Sequence, residues 1–145
     1  MRLVLQRVVR AAVRVEGETV GEIGRGLLVL LGVEQGDGAA EAAAAADKLA
    51  GLRLFEDAAG KLNLAAAEAG AAFLVVSQFT LAADLSRGRR PSFTSAAPPA
   101  VAEPLVDAVA EELRRRGFPV AGGRFGAHME VELVNDGPVT FVLEV

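Results

Sequence analysis

From Leu27 to Val33 the chain reads Leu-Leu-Val-Leu-Leu-Gly-Val, with no polar side chain at any position. A strand with one wetted face alternates apolar and polar residues, whereas a strand that is apolar throughout lies in the interior of a sheet. The run is much shorter than the roughly 20 residues a membrane helix needs, and no other run approaches that length. The chain must therefore build a globular core around at least one fully buried strand.

The flanking patterns supply the rest of the sheet. Leu3 to Val15 reads as a strand, with Val13 and Val15 alternating with Arg14 and Glu16. Gly17-Glu18 is a turn candidate that lets Val20 to Ile23 return as a hairpin partner. Asp37-Gly38 breaks the chain before Ala39 to Phe55, an alanine-rich stretch with Leu49, Leu52 and Phe55 at helical spacing, which predicts a helix. Asp57 to Leu64 reads as a turn and a short strand, and Phe73 to Leu81 as a further central strand.

Pro91 to Pro99 has loop chemistry, and Pro98 and Pro99 suit the first turn of a helix, where a missing N–H loses no bond. Leu105, Val109 and Leu113 then recur every four residues. Glu103 and Asp107 lie early and Arg114, Arg115 and Arg116 close the segment before Gly117, as the helix dipole favours. Two alternating patterns end the chain, Met129 to Leu133 and Val139 to Val145, with Asn135-Asp136-Gly137-Pro138 as the turn between them. Strands, helix, strands, helix, strands, without repeat or linker, predict one mixed α/β domain over residues 1–145.

Several chemistries are excluded by what the chain lacks. With no cysteine there is no disulfide framework, thiolate nucleophile or thiolate metal site. One histidine, His128, cannot make a zinc site, and no GxSxG elbow accompanies it, so no metal is expected. His128 reads either as the general base of a hydrolase or as a lone histidine at a strand edge. Gly21, Gly24, Gly26 and Gly32 form neither GxGxxG nor a phosphate-binding GK[ST] loop, and no cofactor is expected. Arginines interrupt the N-terminal apolar run, unlike a signal peptide, so a soluble intracellular protein is the expectation. The formal net charge is −4, yet Arg87, Arg89 and Arg90 cluster, as do Arg114 to Arg116. A local basic face on an acidic protein follows from such clustering.

Two segments carry potential chemistry. Ser77-Gln78-Phe79-Thr80-Leu81 places two hydroxyls and an amide at the end of an apolar strand. That is either the ordinary polar end of a buried strand or a set of donors for a developing oxyanion. Thr80 is a nucleophile only if a base activates it, and the sequence offers none beside it. Gly137-Pro138 is either a plain turn or a cis dipeptide.

Taken together, Ser77-Gln78-Phe79-Thr80-Leu81 and Asn135-Asp136-Gly137-Pro138-Val139-Thr140 resemble the paired signature of the D-aminoacyl-tRNA deacylase family. Gln6-Arg7-Val8, Gly26 to Val33, Gly88-Arg89-Arg90-Pro91-Ser92-Phe93 and Gly123-Arg124-Phe125-Gly126-Ala127 are similar to that family's segments, so the resemblance spans the chain. It implies a curved or barrel-like sheet with two main helices, and a homodimer that hydrolyses D-aminoacyl-tRNA in the cytoplasm. Its partner is a tRNA acceptor end carrying a D-amino acid or glycine, with no membrane and no DNA.

By the same resemblance Ser77, Gln78, Phe79 and Thr80 form the catalytic wall. Gly137 and Pro138 enter the other subunit's pocket and reject L-amino acids. Phe125 and Met129 line the space for the terminal adenosine, and Arg7 holds the Gly-Pro turn. The proton chemistry falls to Thr80 or to the neighbouring ribose hydroxyl, and the lack of a base for Thr80 favours the ribose. A non-catalytic RNA-binding module and an esterase for small D-amino acid esters are the competing readings.

Overall fold

The computed structural model describes residues 1–145. Its elements in chain order are β1 (Arg2–Val15), β2 (Glu18–Ile23), β3 (Gly26–Gly32), α1 (Ala39–Gly51), β4 (Phe55–Glu56), β5 (Leu62–Leu64), α2 (Ala66–Ala69), β6 (Ala72–Ser77), α3 (Pro99–Arg115), β7 (Val120–Gly122) and β8 (Glu130–Glu144). A short 3₁₀ turn, Phe79–Ala82, follows β6.

β1 is the spine. On one edge its first half pairs antiparallel with β3, Leu3 facing Leu31 and Leu5 facing Val29. Its second half pairs with β2, Val13 facing Gly21. β8 runs antiparallel along β1 from Arg2 to Arg14. β6 lies parallel to β3, and β7 parallel to β6. The path β2-β1-β3-β6-β7 nearly closes on itself. β2 meets β7 so closely that a Cβ at Gly21 would lie 2.0 Å from the Gly122 carbonyl oxygen. Only glycine permits that approach.

The pleat explains why β3 is apolar at every position. Leu28 joins Val8, Ala11, Val13, Leu74 and Val76 in a core on the inner face of the curved sheet. Leu27, Val29 and Leu31 point the other way, to the larger core shared with Leu3, Leu5, Phe73 and Val75. Ala42, Ala45, Ala46 and Leu49 of α1 and Ala102, Val106, Val109 and Leu113 of α3 complete that second core. At about 25 cal/mol per Å² of apolar surface, burial on both faces makes β3 and β6 the most costly strands to expose. No helix is long and apolar enough to cross a membrane.

The mixed α/β architecture with a barrel-like sheet and two main helices matches expectation, with α2 a four-residue addition. Three boundaries do not. The first helix stops at Gly51, not Phe55: Leu52 is extended, and Phe55 pairs with Leu64 in a small ribbon. Glycine weakens the helix there, and the ribbon supplies the bonds the helix gives up. The strand from Phe73 ends at Ser77 rather than Leu81, because the chain tightens into the 3₁₀ turn.

Asn135-Asp136-Gly137-Pro138 is not a turn between two strands. It is a bulge within β8: Thr140 faces Gln6 and Asn135 faces Val8, so residues 136 to 139 oppose Arg7 alone. A bulge keeps both halves of β8 on the same partner strand while pushing the extra residues out of the ladder.

Candidate active site

Ser77 sits at the last position of β6, where the parallel pairing with β3 ends opposite Leu31. The Gln78 N–H still donates to the Leu31 carbonyl at 2.8 Å, which carries the strand direction one residue further. The 3₁₀ turn then swings Phe79 and Thr80 to the surface. Gln78 Nε2 donates to Thr80 Oγ1. An amide N–H cannot take a proton from a hydroxyl, so this contact orients Thr80 without making it a nucleophile.

Ser77, Gln78 and Phe79 line one wall of a cavity of about 440 Å³. Phe125 and Met129 come from the segment between β7 and β8 and form the opposite wall, with Gly126, Ala127 and His128 at the same lip. Val33, Ala97, Pro99 and Ala102 contribute the floor from the end of β3 and the start of α3. Met129 is held from behind. Its sulfur accepts the Arg124 N–H at 3.4 Å and lies 2.5 Å from where a Gly123 Cβ would be. A largely apolar cavity of this size with a few polar groups at one end suits a small planar group, such as a base, joined to a polar reactive end.

Of the residues singled out in the sequence, Ser77, Gln78, Phe79, Phe125 and Met129 line this cavity and Thr80 does not; Val33, Ala97, Pro99 and Ala102 are among the lining residues that the sequence did not mark. Those four carry no chemical signal of their own, since a small apolar residue reads the same in a core and in a cavity floor. His128, the lone histidine, is exposed and belongs to the cavity lip, just before β8 begins. It is the only titratable side chain of the lining, which contains no carboxylate. No group of three or more His, Asp or Glu is placed to hold a metal.

Arg7, Gly137 and Pro138 do not line this cavity. They form a second constellation at the β8 bulge. The Gly137-Pro138 peptide is cis, and both residues are exposed. Asn135 clamps the bulge from inside: its Oδ1 accepts the Val139 N–H at 2.8 Å, and its Nδ2 donates to the Val139 carbonyl at 3.2 Å. Arg7, 4% exposed and the one buried charged residue, donates through Nε to the Asp136 carbonyl at 3.0 Å and through Nη1 to the Leu54 carbonyl at 3.0 Å. Its guanidinium also pairs with Glu56 and with the Asp136 carboxylate, each at 3.3 Å.

A third feature lies between β1 and β8. Arg10 and Arg14 both pair with Glu132, and their hydrogen bonds hold its carboxyl at a pKa of about 2, well below the usual 4.5.

A family model described as D-Tyr-tRNA(Tyr) deacylase matches residues 4–144. A D-aminoacyl-tRNA deacylase of Anaeromyxobacter dehalogenans (strain 2CP-C) is 61% identical over 144 residues, covering 99% of this chain and 97% of that one. One of Heliobacterium modesticaldum (strain ATCC 51547 / Ice1) is 57% identical, covering 99% and 96%. Among solved structures, the c-Myc DNA Unwinding Element Binding Protein superposes with a TM-score of 0.94 at 41% identity, covering 100% of this chain and 99% of that chain.

Proposed function

Because the chain belongs to the D-Tyr-tRNA(Tyr) deacylase family and is an enzyme of that kind, we propose that it hydrolyses D-aminoacyl-tRNA in the cytoplasm, as a homodimer that rejects L-amino acids with Gly137 and Pro138. The observation that carries this reading is the separation of the two constellations. The exposed Gly137-Pro138 bulge stands outside its own chain's cavity, as a group meant for another subunit's cavity must. The two strands that carry the bulge also hold exposed apolar side chains for such a partner to cover, Val9 of β1 and Val134, Phe141 and Val142 of β8.

In this arrangement Phe125 and Met129 hold the terminal adenosine, and Ser77, Gln78 and Phe79 face the ester. Water adds to the ester carbonyl carbon and the carbonyl oxygen takes up the negative charge. Collapse breaks the bond to the ribose 3′-oxygen, which leaves with a proton. The adjacent 2′-hydroxyl relays that proton from the attacking water: the cavity offers no carboxylate, its one imidazole, His128, is exposed at the lip beside Phe125 and Met129, and Thr80 has no base. Donors at the Ser77 end stabilise the oxyanion. Holding the ester and water in register supplies much of the rate, about 7–11 kcal/mol in well-oriented cases.

Selection works by exclusion. Carbonyls of Gly137 and Pro138 face the substrate's α-carbon, an L side chain collides with them, and a D side chain points away. Glycine has no side chain to collide, so glycyl-tRNA is also a substrate.

The test is hydrolysis of D-tyrosyl-, L-tyrosyl- and glycyl-tRNA at equal enzyme. Loss of the D and glycyl esters with the L ester intact supports the reading. Equal hydrolysis of D and L esters removes the role of Gly137-Pro138, and tRNA binding without any hydrolysis removes the esterase.

A further inference from the structure

Seven of the chain's fifteen arginines and lysines are neutralised internally. Arg2 pairs with Glu34 and Glu144, and Arg7 with Glu56 and Asp136. Arg10 and Arg14 share Glu132. Arg114 pairs with Glu111, Arg115 with Glu112, and Arg116 with Glu112 and Asp47. Of the two basic clusters visible in the sequence, the one at the end of α3 is therefore cancelled. The other is not: Arg87, Arg89 and Arg90 are exposed and enter none of these pairs.

Those three arginines share one arm. Asp84 and Ser92 close it with an antiparallel bridge, Asp84 N–H to Ser92 carbonyl at 2.8 Å and the reverse at 3.1 Å. Gly88, at φ +67°, turns the tip. The acid nearest the arginines in sequence is held by its own loop: the exposed Asp84 carboxylate accepts the Ser86 N–H at 2.8 Å, and its bonds to Ser86 hold its pKa below the usual carboxylate range. At its base the arm is joined to the cavity wall, since Phe93 packs edge-on against Phe79 with ring centroids 5.1 Å apart. Gln35 Nε2 ties Thr94 to the end of β3 at 2.8 Å.

We infer that the arm carrying Arg87, Arg89 and Arg90 is the surface that grips the phosphates of the tRNA acceptor end whose ester lies in the cavity. The inference rests on the proposed function above. Guanidinium forks match phosphate oxygens in pairs, and cations free of protein carboxylates are the ones able to exchange counterions for phosphates. On a chain of net charge −4 a local contact of this kind binds a short stretch of backbone next to the cavity and leaves the rest of the tRNA untouched.

The test compares the triple variant Arg87→Gln, Arg89→Gln, Arg90→Gln with wild type, on D-tyrosyl-tRNA and on 3′-O-D-tyrosyl-adenosine, which has no phosphate. If three phosphates are engaged, wild-type KM for the tRNA ester rises about 20- to 40-fold between 50 and 200 mM salt. In the triple variant that dependence flattens, KM at low salt rises at least about tenfold, and cleavage of the adenosine ester is unchanged. A second triple variant, Lys48→Gln, Arg53→Gln, Lys61→Gln, removes the same charge from exposed sites elsewhere and keeps the wild-type salt dependence.

An unchanged salt slope in the arginine variant, with hydrolysis intact, overturns the inference. So does duplex DNA competing as well as tRNA in a manner lost with the same three arginines, because the arm is then a general polyanion contact. If wild type cleaves neither ester, the proposed function has failed. Fluorescence anisotropy with uncharged tRNA then decides the arm separately: loss of binding in the variant supports it, and equal binding overturns it.

Discussion

Arg7 stands opposite the β8 bulge as its only strand partner, and its Nε donates to the Asp136 carbonyl at 3.0 Å, one residue before Gly137. The same side chain reaches the Leu54 carbonyl at 3.0 Å, so one buried guanidinium fixes the bulge relative to the chain ahead of β4. Replacing it by methionine keeps the volume and leaves two carbonyls without their donor. Each such loss costs about 1–3 kcal/mol, so Arg7→Met is expected to lose about 2–6 kcal/mol in urea unfolding. An unchanged midpoint would mean water replaces both bonds. Arg7→Lys restores charge but not the fork, and is expected to recover only part of the loss.

Gly21 and Gly24 give a paired test of how the barrel closes. A methyl at Gly21 would sit 2.0 Å from the Gly122 oxygen, while one at Gly24 meets nothing within 4 Å. Gly21→Ala should cost about 3 kcal/mol, the upper end for overpacked sites, and lower Tm by roughly 6–12 °C. Gly24→Ala should stay within about 0.5 kcal/mol. Equal melting curves for the two variants would show that β2 and β7 separate freely.

Much of this fold was legible because its apolar patterns are long. β1, β3 and α3 were readable within one or two residues, since thirteen or more residues of alternation or a continuous apolar run leave few alternatives. The end of α1 was not, because Leu49, Leu52 and Phe55 keep helical spacing into a ribbon that only tertiary pairing with Leu64 creates. β7, three residues long, carries no periodic signal at all. The continuity of β8 was hidden because Asn-Asp-Gly-Pro has the composition of a turn, and only its pairing with β1 marks it as a bulge. In the site, the polar residues of Ser77 to Thr80 stood out against an apolar strand, while the cavity floor at Val33 and Ala102 did not.

Glu132 makes β1 and β8 sensitive to acid. Its carboxyl, at about 2 in the fold against 4.5 otherwise, is held down by hydrogen bonds from Arg10 and Arg14. A lowered pKa stabilises the fold above the unfolded value and loses that contribution as pH falls from about 4.5 toward 2. The pair is exposed, so the effect is screened. Glu132→Gln should therefore melt slightly below wild type at pH 6 in low salt, with the gap narrowing as pH falls from about 4.5 toward 2 and at high salt. A gap of unchanged size at pH 2 would trace the difference to packing.

Phe125 lines the cavity opposite Ser77 and also packs against the main core. If it stacks on the terminal adenine, Phe125→Leu keeps most of the packing and removes the aromatic face. KM for the tRNA ester should rise about 5- to 150-fold, the equivalent of 1–3 kcal/mol per stacked base, with kcat little altered. A fall in kcat at constant KM would instead place Phe125 against the reacting ester.

Thr80 separates the two accounts of the chemistry. Its Oγ1 accepts from Gln78 Nε2, and no carboxylate or imidazole bonds to it to remove its proton. If the ribose hydroxyl relays the proton, Thr80→Ala loses only an orienting contact and should keep kcat within about tenfold of wild type, in line with one hydrogen bond of 0.5–1.5 kcal/mol. A nucleophile behaves otherwise, since removing one costs on the order of a millionfold in well-studied hydrolases. The complementary substrate is D-aminoacyl-tRNA ending in 2′-deoxyadenosine, which removes the relay and leaves the protein intact. A deep loss on the deoxy substrate with a mild loss in Thr80→Ala assigns the proton transfer to the RNA. The reverse pattern, together with an acyl group trapped on Thr80, would assign it to the protein.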